Sequence, residues 1–585
     1  MQILKFYPLF LLIYLSIPVT ATCQMNVSTA DQNFDSYKSK FIEQLWQMNP
    51  GWASHQGYTK YDDLLDIKTP EDRKKQIAQY EIWQNELKGF PLEKLSVLNR
   101  IDHKLIQNYI NASLWHIHRY KAYEWNPSMY NVGEAFFKVL KRNYSSPKEK
   151  IRIITNKLSQ VEKYYEVAKL SIKNPTREHT LLAIEQNKNS LNDFCIQFKD
   201  TLEKSELSSE EKNKITAQLE KAKNAVNHFT TFLEKEIVPA IDKGATRSFR
   251  IGKELYEEKF GFDIVSQHKA STVYEIALKR KEETHQKMKE LSEKIWSKYF
   301  PNEPFNSDLK NIRKLIDKIA LRHAHRDSFL TAIKKQIPEL LKFITEHNLI
   351  GMDADKPLVV RETPSYMGGV AGASISSPGP YEKNADTYYN VTLLNHYSPE
   401  DAESYLREYN HYLLQVLNIH EAIPGHYVQL VYSNKAPSLI KSILDNGAMV
   451  EGWAVYTERM MLEEGYGNNE PELWLMYYKW SLRVTLNTIL DYQVHVLNFQ
   501  KEDAMKLLME EGFQEKAEAE GKWRRATLSS VQLASYFTGF TEIYRLREDH
   551  KIKHGEKFNL RQWHEKFLSY GSAPVPYIRE AMEEK

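Results

Sequence analysis

Two histidines flank an acid and a Pro-Gly pair in His420-Glu421-Ala422-Ile423-Pro424-Gly425-His426. Imidazoles ligate divalent metals, and a carboxylate beside them can take a proton from water, so the grouping suggests a zinc hydrolase with Glu421 as general base. In the ordinary form of that arrangement the histidines are four apart and share one helical face. Here they are six apart. At about 100° per residue an unbroken helix would leave the two rings roughly 120° out of register. Pro424 has no N–H to bond the carbonyl of His420, and its ring pushes that carbonyl aside. Gly425 then permits backbone geometry that other residues reach only at a cost. A two-residue bulge at Pro424-Gly425 is therefore expected, returning His426 to the position of an i+4 histidine.

A catalytic zinc takes three protein ligands and keeps one position open for water, with two histidines and a glutamate as a standard set. Glu451, in Met449-Val450-Glu451-Gly452-Trp453-Ala454, follows His426 by 25 residues and is flanked by core-forming residues that would turn its carboxylate inward. His420, His426 and Glu451 are thus the expected ligands of Zn2+. Glu458 lies seven residues beyond Glu451, on the same helical face, where it could orient a ligand. Arg483, His495 and Arg525, read as lying on charged helices, are candidates to bind a substrate carboxylate. The alternative for the motif is a buried His420 satisfied by backbone, with Glu421 in a surface ion pair.

The elements that must position these residues are mostly helical. Thr69-Pro70-Glu71-Asp72 and Ser398-Pro399-Glu400-Asp401 are capped helix starts. Ile101, Leu105, Ile106, Tyr109 and Ile110 follow the 3.6-residue period, as do Ile151, Ile154, Leu158 and Val161. Segments 147–173, 176–204 and 208–236 carry Lys and Glu on solvated faces. Strand signals are confined to 355–396, at Pro357-Leu358-Val359-Val360-Arg361 and at 387–394, with Gly368-Gly369 and Ser377-Pro378-Gly379-Pro380 between them. A peptide could add to the 387–394 strand at a sheet edge. The expected organisation is a signal segment at 1–22, an N-terminal helical region at 31–244, and a catalytic helical region at 245–585 that contains the sheet.

Composition narrows the function. Across 585 residues, 79 Lys and Arg face 77 Asp and Glu, which leaves no basic surplus for nucleic acid. A hydrophobic fraction of 42% supports a large core, and a mean hydropathy of −0.57 excludes a polytopic membrane protein. Lys5, the apolar run Phe10–Leu15 and the small residues Val19-Thr20-Ala21 make a secretory signal. Cys23, just past it, makes a lipid tether an alternative to simple release. Cys23 and Cys195 are the only cysteines, so any metal must be held by histidine and carboxylate.

The paired segments His420–His426 and Glu451-Gly452-Trp453-Ala454 resemble the signatures of the bacterial domain-of-unknown-function family 885 (DUF885). The likeness extends to Pro50-Gly51-Trp52-Ala53 with Gly57 and Tyr61-Asp62, to Ser377-Pro378-Gly379-Pro380, to Ser535-Tyr536-Phe537-Thr538-Gly539 with Arg547, and to Gly571-Ser572-Ala573-Pro574. The resemblance implies an exported or lipid-anchored protein, periplasmic or secreted, similar to glutamate-zincin metallopeptidases. It also implies a large multi-helix fold with a deep cleft, one small sheet near the site, and a peptide substrate. Ser535-Tyr536-Phe537 resembles the tyrosine-bearing stretch of angiotensin-converting-enzyme-like peptidases, which makes Tyr536 a candidate oxyanion donor. Tyr427 departs from the family, which often has a second histidine there. A catalytically inactive envelope binding protein, or a metal-dependent amidase acting on cell-wall fragments, are the competing functions.

Overall fold

The computed structural model describes residues 28–584 except 143, 145, 191, 354, 364–372, 383, 384 and 396. The signal segment, Cys23 and Gly368-Gly369 lie outside the described residues. Helix starts follow the local chemistry read from the sequence. Thr69 and Asp72 bond each other's backbone N–H reciprocally at the head of Pro70–Leu87, and Ser398 accepts from the Asp401 N–H at the head of Pro399–Glu408.

Two of the long helical segments are each divided in two. The stretch 147–173 forms Pro147–Leu158 and Val161–Ser171, and 176–204 forms Arg177–Asn189 and Asn192–Glu203. At the first break Gln160 turns its amide to the chain near Leu65. Its nitrogen donates to the Asp63 carbonyl at 2.7 Å, and its oxygen accepts from the Leu65 N–H at 3.0 Å. A distant loop thus uses the break, which helical periodicity alone does not reveal.

The apolar interior has two parts. The smaller is built from Leu65 and residues between Val132 and Leu233, including Phe136, Ile154, Tyr165 and Phe229. The larger joins residues from Phe34 to Trp125 with residues from Phe249 to Ile578. Most core residues between Phe34 and Trp125 therefore share their core with the C-terminal half, across the division expected at 244.

One sheet interrupts the helices, with β1 (Leu358–Glu362), β2 (Ala373–Ser376) and β3 (Thr387–Val391) in the order β1-β3-β2. β1 runs parallel to β3 with Leu358 opposite Thr387, and β2 runs antiparallel with Ala373 opposite Val391. This corrects the expectation of an edge strand at 387–394: β3 is the central strand, paired on both sides, and has no open edge for a peptide. β2 had no clear strand signal of its own. Among the described residues, no helix is long and apolar enough to cross a membrane.

Candidate metal centre

Helix α1 (His411–Glu421) opens at Asn410, whose side chain accepts from the Tyr412 and Leu413 N–H groups. It carries a nearly continuous buried face, with Leu413, Val416 and Ile419 fully covered. The helix stops at Glu421. Ala422 leaves helical geometry at φ −109° and ψ −88°, the Ile423–Pro424 peptide is cis, and a new helix α2 (His426–Asn434) begins at His426. Gly425 closes the break through its N–H, which reaches the Ile419 carbonyl at 3.0 Å. A Cβ on Gly425 would lie 1.9 Å from the His420 carbonyl oxygen, so this approach requires glycine. The Trp453 indole donates to the Pro424 carbonyl at 3.0 Å. The expected bulge is thus a full break between two helices, and it brings the rings of His420 and His426 to 4.7 Å between centroids.

Helix α3 (Gly447–Glu463) supplies the acid. Asn446 caps it by accepting from the Met449 N–H at 2.9 Å. α3 crosses α6 (Ser535–His554) with backbone nearly touching backbone: a Cβ on Gly452 would meet the Gly539 Cα at 2.4 Å, and one on Gly539 would meet the Ala448 carbonyl oxygen at 1.7 Å. The two glycines account for the motif positions beside Glu451 and Tyr536, because their close approach sets those side chains together. Glu451 Oε2 lies 3.3 Å from His426 Nε2 and 3.8 Å from His420 Nε2. One ligand atom from each of the three residues falls within 4.8 Å of the others, a set that could hold a metal ion. His420 Nδ1 sits 2.6 Å from Glu458 Oε1, which also accepts from the Trp480 indole at 2.9 Å. That contact orients the ring and leaves Nε2 facing Glu451.

Burial shapes the electrostatics. It drives His420 down to about 3, helped by His426, so the imidazole is neutral with a lone pair to offer. Burial also opposes charge on His426, but the adjacent Glu451 carboxylate outweighs it and raises the imidazole. For Glu451 burial pushes upward, while His426 pulls it below the ordinary carboxylate range. Glu421 is raised to about 7 and Glu458 well above its usual value, both chiefly by burial. Tyr536 is raised to about 12, by burial and then by Glu451.

The remaining candidates divide. Arg525 donates to the Tyr536 hydroxyl at 3.1 Å and to Gln532 Oε1 at 2.6 Å, so it stands behind the phenol. Arg483 and His495 lie on α4 (Pro471–Val496), a largely buried helix rather than a charged one. Arg483 is bound by Glu518 at 2.7 Å and faces Glu408 at 3.7 Å, so its guanidinium already has acidic partners. His495, a candidate for substrate, places its Nε2 at the carbonyls of Ala526 and Ser529, 2.9 and 2.8 Å away, and the residue is 3% exposed. Tyr427 turns its hydroxyl to the Lys356 carbonyl rather than to His420, His426 or Glu451.

Several contributors had no motif to mark them. Trp480 completes the support of Glu458, and Tyr389 on β3 donates to Asn418 Oδ1 at 2.8 Å, tying the sheet to α1 two residues before His420. Two cavities, one of about 470 Å³ and one of about 180 Å³, lie away from these residues, so neither is the deep cleft expected over the site.

Residues 50–582 match the model of a family described as "Bacterial protein of unknown function (DUF885)". Among solved structures, the chain is similar to "a putative lipoprotein of unknown function" from Shewanella oneidensis. Identity is 49% and the TM-score 0.86, over 94% of this chain and 100% of that one. A protein from Colwellia psychrerythraea described as a "putative lipoprotein" shares the fold at 16% identity and a TM-score of 0.77, over 95% of this chain and 99% of its own. No curated protein matches the chain.

Proposed function

The chain belongs to the DUF885 family, and from that premise we propose that it is a metal-dependent hydrolase cleaving amide bonds of short peptides. One observation carries the proposal: two imidazoles and a carboxylate from separate helices converge, with His420 already oriented through its far nitrogen by Glu458. The donor set of two nitrogens and one oxygen fits zinc, and His420, His426 and Glu451 would hold it. A zinc ion bound there supplies a Lewis acid and makes water nucleophilic near neutral pH.

The chain's own groups do the rest. Glu421, adjacent to His420, takes a proton from the attacking water and returns it to the leaving amine. Tyr536, beside Glu451 and braced by Arg525, donates its phenolic proton toward the negative charge that develops on the substrate carbonyl oxygen. The lipoprotein description of the Shewanella relative, together with the export signal and Cys23 here, supports an exported protein tethered to the envelope by lipid. Metal analysis of the purified chain tests the proposal together with a digest of mixed short peptides. The expected result is about one zinc per chain and hydrolysis, both lost in His420→Ala. A wild-type protein that binds no divalent metal after zinc loading overturns it.

A further inference from the structure

The 470 Å³ cavity lies where the two apolar cores meet, between residues 51–76 and residues 117–167, and shares no lining residue with the metal centre. Its size is that of a site for a small organic molecule. Four cationic side chains line it, Lys68, Arg73, Lys138 and Lys157, against two acids, Asp66 and Glu134. Glu134 is matched to Lys138 at 2.9 Å. Lys157 is only 1% exposed; its ammonium makes one long hydrogen bond, 3.4 Å to the Ala135 carbonyl, and feels the carboxylates of Asp62 and Asp66 without bonding either. Arg73 lies over the Tyr123 ring, 4.0 Å from its centroid, and reaches Ser171 Oγ at the outer limit of a hydrogen bond, 3.4 Å.

Asp66 presents a second open requirement. Its Oδ2 lies against Gly51, where a Cβ would be 2.3 Å away, while its Oδ1 is buried without a hydrogen-bond partner. Buried ammonium and carboxyl groups are costly unless they are paired. Burial accordingly depresses Lys157 to about 8, and burial together with Arg142 does the same to Lys138. Tyr130, which donates its hydroxyl to the Tyr123 carbonyl at 2.7 Å, and Tyr164 add aromatic rings to the lining.

We propose that this cavity binds a small organic anion, whose carboxylate or phosphate lies between Lys157 and Arg73 and whose hydroxyl or amine hydrogen is accepted by Asp66. The ring walls fit a sugar-sized or aromatic body. The inference is independent of the metal reading. Calorimetric titration of the full chain tests it, with N-acetylmuramate as the carboxylate probe, glucose 6-phosphate as the phosphate probe and uncharged N-acetylglucosamine as the control. At least one charged probe should bind at one site per chain, and the control should not. The choice between carboxylate and phosphate identifies the source of the anion. Arg73→Gln and Lys157→Met should each weaken binding by about tenfold or more, whereas His420→Ala should leave it unchanged. If Lys157→Met lowers the unfolding temperature, the half-buried Arg73→Gln decides alone. Failure of both charged probes to bind at millimolar concentration overturns the proposal, as does binding that survives Arg73→Gln.

Discussion

His420, at the end of α1, and His495, at the end of α4, are buried to nearly the same degree, 6% and 3% exposed, yet the chain uses them differently. His420 offers Nδ1 to a carboxylate and keeps Nε2 for Glu451 and, across the break, the facing ring of His426. His495 spends Nε2 on two backbone carbonyls, Ala526 in the last turn of α5 (Lys516–Leu528) and Ser529 just past it, and its Nδ1 has no partner among the described residues. Asp491, one turn before His495, stands 3.8 Å from the ring and instead accepts from the Tyr256 hydroxyl at 2.7 Å. Burial therefore does not mark a metal ligand. What marks it is an imidazole oriented on one nitrogen while the other faces further donors.

The largest effect should come from Glu421→Gln. Removing a general base costs about 10²- to 10⁴-fold in rate, while the three ligands stay in place. Turnover on a peptide substrate should collapse with zinc content unchanged. Retained turnover would remove Glu421 from its assigned role and weaken the contrast between the two helix ends.

Gly452→Val attacks the same region through its framework. The added side chain meets Gly539 backbone at α6, with no flexible end to move aside. A loss of about 3 kcal/mol in urea unfolding is expected. Loss of zinc from the fraction that remains folded would show that the crossing of α3 and α6 positions Glu451.

Glu458→Gln sharpens the comparison directly. It keeps the shape of the group that orients His420 but replaces a carboxyl oxygen with an amide, and should lower zinc affinity by about 10- to 100-fold in competition with a chelator. Asp491→Asn, the counterpart beside His495, should leave that affinity unchanged. Equal effects from both would mean that the two histidines do not differ as described.

Much of this geometry was legible in the sequence, and the illegible part has one physical origin. Pro424-Gly425 signals a break because its consequences are local: a missing N–H, and a carbonyl that tolerates no Cβ nearby. Glu451 and Glu458 share a face through helical spacing alone. Arg483 and His495 were misplaced because their surroundings come from far along the chain, from Glu408, Glu518, Ala526 and Ser529. The central place of β3 was hidden similarly, since β2 joins it only through pairing. Trp453 sits visibly in its motif, but its task of holding the Pro424 carbonyl is a tertiary fact.

The smallest effect belongs to His495→Gln, which separates a structural from a substrate-binding role for that residue. The ring ties α4 to the segment leading into α6, where Tyr536 sits, by donating to the carbonyls of Ala526 and Ser529. Glutamine keeps an N–H donor for these carbonyls but lacks the ring that stacks on Tyr256, 6.0 Å away between centroids. Stability should fall by about 1–2 kcal/mol, read as a lower midpoint in chemical unfolding, with zinc content and affinity at the wild-type value. A residue that bound substrate carboxylate would respond otherwise: stability would hold, and KM would rise for peptides with a free C-terminus but not for their amides. That pattern would return His495 to the substrate, and burial with a backbone-bonded nitrogen would no longer separate a structural imidazole from a working one.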